Sequence, residues 1–147
     1  MGLTYFYEGN FSKAVEYYKK AIDLNNQSEI FYDNIGLAYE KLNDLKSARE
    51  SYEGALQISS RKDYFLNLIG LMHYLENRMP DAIINYKKAI DINDKEPVYW
   101  SNLALAYRDA GNLKEAEKAM VKAVSLDSTE IYAPRLKEIR DLMNEKV

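Results

Sequence analysis

The chain repeats itself every 34 residues, and no insertion breaks the register. Tyr5, Tyr39, His73 and Tyr107 form one column of the repeat, and Ala14, Ala48, Ala82 and Ala116 form another. Ala21, Ala55, Ala89 and Ala123 make a third; Tyr18, Tyr52, Tyr86 and Met120 make a fourth. Gly2, Gly36 and Gly70 align with Ala104. Such self-similarity means one small supersecondary element stacked on copies of itself, because a piece of that size cannot bury its apolar face alone. The core is then a seam between neighbours, and function is to be sought on the long surface that stacking leaves exposed.

Within the repeat 29–62, apolar and small residues fall at Tyr32, Ile35, Gly36 and Tyr39, then at Leu45, Ala48, Tyr52, Ala55 and Ile58. Steps of three and four predict two amphipathic helices and no strand. Between them Asn43 suits the left-handed conformation that ends a helix, and Asp44 suits the cap of the next. Gly9-Asn10, Asn77-Arg78 and Gly111-Asn112 occupy the same corner. Asn10 and Asn112 are the expected caps; Arg78 is a weaker one, followed by Pro80 in the first helical turn. First helices are predicted near 29–42, 63–76 and 97–110, and second helices near 12–25, 46–59, 80–93 and 114–127. Gly36 and Gly70 allow close approach of a first helix to its second, met by Ala48, Ala55, Ala82 and Ala89 from the other side. Turn-favouring Asn26, Ser60, Asp94 and Ser128 mark the corners between repeats.

The sequence thus reads as one domain: a truncated repeat at 1–28, full repeats at 29–62, 63–96 and 97–130, and a terminal helix at 131–147. In that last stretch Tyr132, Leu136, Ile139 and Met143 alternate with Lys137, Arg140, Asp141 and Glu145, the pattern of a one-sided cap on an open array. The half repeat at the start is the expected mark of a fragment of a longer protein.

The columns resemble the tetratricopeptide-repeat (TPR) family. Its marks read Trp100, Leu103, Ala104 and Tyr107, then Ala116, Met120 and Ala123 in the fourth repeat; in the second they read Tyr32, Ile35, Gly36 and Tyr39, then Ala48, Tyr52 and Ala55. The resemblance covers residues 1–130, departing from the family only in lacking its late proline. It implies an all-α, right-handed superhelical solenoid of antiparallel helix pairs. It further implies a scaffold or adaptor whose partner is a protein or peptide, held as an extended segment or amphipathic helix in a concave groove lined by the first helices. Neither catalysis nor a cofactor is implied.

The groove positions implied by the resemblance include Asn34 and Leu37 in the second repeat, Tyr64, Asn67, Leu68, Leu71, Tyr74 and Leu75 in the third, and Asn102, Leu105 and Arg108 in the fourth. The third repeat is unusually apolar there, which fits a docking surface; packing against neighbouring helices is the alternative. The amides of Asn34, Asn67 and Asn102 can both donate to and accept from a peptide backbone, or remain solvated. Acidic-tail-binding members of the family use a clamp of Lys and Asn, then Asn, then Lys and Arg. Here Asp33 and Leu37, then Leu68, then Val98 and Asn102 stand in those places, so that mechanism is not expected. A second reading is self-association into a homo-oligomer through an apolar edge at Met1, Leu3, Phe6 and Tyr7. A third is an accessory region of a larger enzyme.

Composition narrows the partners. Lys and Arg number 20 against 23 for Asp and Glu, a formal net charge of −3, so no excess of bases is available to neutralise phosphates and nucleic acid is not expected. The absence of cysteine removes disulfides and thiolate metal sites and fits a cytoplasmic setting. No apolar run reaches the roughly 20 residues of a membrane helix. His73, the single histidine, stands in the tyrosine column and is expected to pack there; no second histidine or cysteine offers a metal site or a nucleophile pair. The glycines are too scattered to form a phosphate loop.

Overall fold

The computed structural model describes residues 1–24, 28–127 and 129–145; the expected corners at Asn26 and Ser128 lie outside them. The described residues form helices α1 (Gly2–Tyr7), α2 (Phe11–Leu24), α3 (Glu29–Lys41), α4 (Leu45–Ile58), α5 (Lys62–Leu75), α6 (Met79–Ile92), α7 (Pro97–Asp109), α8 (Leu113–Leu126) and α9 (Ala133–Glu145). The all-α class and the succession of packed helix pairs are those the spacing predicts. Each second helix starts one residue earlier than expected, at Phe11, Leu45, Met79 and Leu113. The reason is local: the capping residue sits immediately before these apolar positions, so they are already helical.

The corners inside the repeats share one geometry. Gly9, Asn43, Asn77 and Gly111 have φ of 76°, 57°, 59° and 81°, the left-handed conformation that closes a helix. The following N–H groups of Asn10, Asp44, Arg78 and Asn112 then donate back to the carbonyls of Tyr5, Tyr39, His73 and Tyr107, at 2.8, 2.9, 2.8 and 2.8 Å. One column of the repeat thus accepts all four helix-ending bonds. Asp44 accepts from the Ser47 N–H at 3.1 Å, and Asn10 from the Lys13 N–H at 3.3 Å. Asn112, an expected cap, has the N-cap backbone but makes no side-chain capping bond; Glu115 in the first turn supplies negative charge to that helix end instead. Arg78 does not cap either, and its guanidinium turns to Asp81 at 2.8 Å.

The protein comprises two compact units, Met1–Met72 and His73–Val147, with their border inside α5. In the N-terminal unit α1 packs on α2, α2 on α3 and α3 on α4. One core cluster joins Ala14, Val15, Tyr18, Ile35 and Ala38; another joins Ala48, Tyr52, Ala55, Phe65, Ile69 and Met72. The closest approach is between α3 and α4. A Cβ built on Gly36 would lie 2.3 Å from the ring of Tyr52, and one on Gly54 would lie 2.7 Å from the ring of Tyr32. Tyr52 is buried and donates its hydroxyl to Glu40.

In the C-terminal unit α6 packs on α7, α7 on α8 and α8 on α9. His73 is buried, as its place in the tyrosine column predicts. The terminal helix covers α8 with the fully buried Ile139 and returns polar groups to α7. Arg135 donates to the buried Ser101 hydroxyl at 2.9 Å, and Arg108 pairs with Glu138 at 3.2 Å and with Asp109 at 2.7 Å. Tyr74 donates its hydroxyl to Asp109.

Two outcomes follow from this packing. Gly36→Ala drives a methyl into a buried ring and should destabilise the N-terminal unit by about 1–3 kcal/mol, read as a lower urea midpoint; an unchanged midpoint would show that Tyr52 can yield. At Asp109 the hydrogen-bonded Arg108 guanidinium, with Tyr74 assisting, holds the carboxyl below its usual range. A depressed folded-state pKa gives stability that is full above the ordinary aspartate range and is lost as pH falls through it. Asp109→Asn should therefore flatten the decline in urea midpoint between about pH 5 and about pH 2; an identical decline in the variant would show that the cluster contributes nothing.

Candidate functional site

The first helices α1, α3, α5 and α7 carry leucine at one repeat position: Leu3, Leu37, Leu71 and Leu105. None of the four is buried. Leu3 is 51% exposed and Leu37 39% exposed, while Leu71 and Leu105 are half-buried. The alanines one position earlier at Ala104 and one later at Ala38 and Ala106 are completely buried, so the helices present this column outward by rotation and not by loose packing.

In the N-terminal unit Tyr64, Leu68 and Leu71 are half-buried, their inner edges against the cluster around Tyr52 and Phe65. Asn34 is half-buried and lines a cleft with Met1, Leu3, Tyr17, Tyr18, Ala21 and Phe31. Asn67 is only 8% exposed, whereas Asp33, its counterpart one repeat earlier, is half-buried. Met1 and Tyr7, like Leu3, are open to solvent. Phe6 is half-buried; it packs on the first core cluster and edge-on to Phe11, ring centroids 5.2 Å apart. The buried Tyr18 hydroxyl meets no hydrogen-bond partner among the described residues. Glu40, which accepts from Tyr52, has Phe6 as its counterpart one repeat earlier, so the acceptor is missing there.

Charge is unevenly distributed on this face. Arg61, which the sequence reading did not single out, bonds Glu29 through Nε and Nη2, each at 2.9 Å, and approaches Asp33 at 3.9 Å. Its guanidinium lies 4.7 Å from the centre of the Tyr64 ring. The one available signal was the three-residue step from Arg61 to Tyr64, which places cation and ring on one side of a helical turn. Burial pushes the Asp33 carboxyl above its usual range, with Arg61 opposing and repulsion from Glu29 and Glu40 adding to the rise. Burial likewise raises the Tyr64 hydroxyl, followed by the neighbouring Asp33 charge.

In the C-terminal unit Leu75 is 53% exposed, and Tyr74, Asn102 and Leu105 are half-buried. Arg108 is engaged by Asp109 and Glu138, and this pairing keeps its charge compensated within the fold. Trp100 lines a separate cleft with Lys87, Ile90, Asp91 and Leu103, and its indole N–H donates to the Asp94 carbonyl at 2.8 Å. Among the described residues no group of three or more His, Cys, Asp or Glu could hold a metal ion, and no helix is long and apolar enough to cross a membrane.

Sequence models of this repeat match three stretches: one described as TPR repeat over residues 2–43, and two described as tetratricopeptide repeat over 31–62 and 97–130. No curated protein matches the chain by sequence. Among solved structures, a crystal structure of MamA protein superposes with a TM-score of 0.77 at 25% identity, over 86% of this chain and 69% of that one. MamA 41-end from Desulfovibrio magneticus RS-1 superposes with a TM-score of 0.86 at 19% identity, over 97% of this chain and 81% of that one. The first TPR of Spaghetti (RPAP3), solved bound to the HSP90 peptide SRMEEVD, gives a TM-score of 0.75 at 15% identity, over 82% of this chain and 96% of that one. The last two likenesses speak to the fold alone. The matched repeats, the shared corner geometry and the packed helix pairs lead to one conclusion: this chain belongs to the tetratricopeptide-repeat family.

Proposed function

We propose that this protein is an interaction module that binds a peptide or amphipathic helix on the outward face of its first helices, by Leu37, Leu68, Leu71, Tyr64 and Asn34 in the N-terminal unit and by Leu75, Leu105 and Asn102 in the C-terminal unit. The observation that carries this reading is the leucine column. A leucine repeated at four equivalent places, exposed at Leu3 and Leu37 and half-buried at Leu71 and Leu105, is a poor choice for a solvated face, since fully burying one exposed side chain stabilises by about 1.5–3 kcal/mol. A partner that covers the leucines of either unit would recover part of that energy. The role is binding and not catalysis, and a cytoplasmic setting fits it. The first TPR of Spaghetti (RPAP3), which shares this fold, was solved with a bound peptide, so the fold is one that can hold a peptide.

A panel of fluorescently labelled amphipathic helical peptides, leucine-faced and varied in charge, tests this. Leu37→Gln and Leu75→Gln replace exposed side chains without adding charge. Each should weaken binding of the best peptide by about tenfold, equivalent to about 1.4 kcal/mol, with helicity unchanged. Loss-free variants, or a panel in which nothing binds, would remove the reading.

A second reading, self-association, has its own observation: Met1 at 84% exposure and Tyr7 at 79% flank the cleft that Leu3, Tyr17 and Phe31 line. An exposed apolar edge of this kind favours pairing of copies. Light scattering over a dilution series should show mass rising with concentration, and Leu3→Gln should suppress the rise; a constant monomer mass would dismiss self-association.

A further inference from the structure

We propose that the face of the N-terminal unit selects a basic amphipathic helix, with two cationic side chains two turns apart seated against Asp33 and Glu40 and an apolar side chain between them covering Leu37. The inference rests on the peptide-binding reading above and adds the chemistry of the partner.

The steps from Asp33 to Leu37 and from Leu37 to Glu40 are four and three residues, so all three share one stripe of α3. The two carboxylates are thus separated by about 10.5 Å of helix rise, the spacing of side chains two turns apart on a facing helix. Leu37 stands between them at 39% exposure.

The charges on this face are not balanced. Glu29 is answered by Arg61, whose two nitrogens sit at 2.9 Å from it and whose guanidinium is held over the Tyr64 ring. Asp33 has the Tyr64 hydroxyl, a neutral donor, and the far side of that guanidinium at 3.9 Å. Glu40 accepts the Tyr52 hydroxyl, a neutral donor that brings no compensating charge. Lys41, in the column of Leu75, is exposed beside Glu40 in sequence, and among the described residues no ion pair joins the two. Burial raises the Asp33 carboxyl above its usual range, Arg61 opposes that rise, and Glu29 and Glu40 add to it. An incoming cation would therefore meet two partly desolvated carboxylates, and an acidic peptide would meet like charge, the arrangement by which interfaces reject the wrong partner.

The test uses the full chain and three labelled helical peptides that differ only at two positions seven residues apart, carrying Lys, Gln or Glu on either side of a leucine. Anisotropy titration should place the Lys peptide about tenfold tighter than the Gln peptide, with the Glu peptide weakest. In the double variant Asp33→Asn/Glu40→Gln, whose side chains keep their shape and can still accept hydrogen bonds, the Lys and Gln peptides should fall within about twofold of each other. Glu50→Gln/Asp91→Asn removes the same charge from exposed sites on α4 and α6 and should leave the Lys preference intact. Equal loss in both double variants would mean general attraction to an anionic protein and would overturn the proposal. Lys and Gln peptides binding equally well to the native chain would overturn the charge selection while leaving peptide binding standing. No binding by any of the three would overturn both.

Discussion

The contact on which the packing depends is a tyrosine ring laid on a glycine. At Gly36 there is no room even for a methyl group, because the Tyr52 ring occupies that space. The ring brings a large apolar area into the seam between two helices, but it also carries a hydroxyl that has to be satisfied once buried. Tyr52 solves this by reaching through to Glu40 on the outward face of α3. A core side chain and a partly exposed carboxylate on α3 are thereby joined. Where the counterpart of Glu40 is Phe6, the same ring position leaves the Tyr18 hydroxyl buried without an acceptor. Burial raises the hydroxyl pKa of Tyr18, Tyr52 and Tyr86 alike, so all three remain neutral donors at any ordinary pH.

Equivalent positions on the repeats carry different chemistry on similar backbones. One column reads Asp33, Asn67, Ser101 and Arg135; another reads Glu40, Tyr74 and Arg108. In the C-terminal unit these side chains are spent on one another: Arg135 holds Ser101, and Arg108 gathers Asp109 and Glu138. In the N-terminal unit one arginine serves Glu29 and only touches Asp33, and Glu40 has a neutral partner. The columns that set the fold stay fixed, and these columns are free to vary, which is how one architecture can serve many partners.

Much of the fold was legible before any coordinates. The helix corners at Asn43, Asn77, Gly9 and Gly111 followed from residue type, because left-handed backbone admits few others. The close approach at Gly36 followed from its column, and the burial of His73 from its place among tyrosines. The candidate face was legible only as a set of positions. Asn67 looked like an exposed amide yet is buried; Phe6 looked fully open yet is half-buried against a core cluster; Asn112 looked like a cap and makes no capping bond. Gly54, which admits the Tyr32 ring, carried no signal, since no other repeat has glycine there.

The sequence by itself determined the period, the helix pairs and the corners between them, because those depend on residues three to five apart whose geometry the backbone fixes locally. The tertiary structure decided which polar groups are paired and with which neighbours. The contacts responsible join residues about one repeat apart: Arg61 with Glu29 across 32 residues, Arg108 with Glu138 across 30, Arg135 with Ser101 across 34 and Tyr74 with Asp109 across 35. The periodicity indicates that such positions are stacked. Whether a side chain at one level then bends toward its neighbour or away from it depends on the burial, charge and rotamer of both, and these come into being only when the helices are packed.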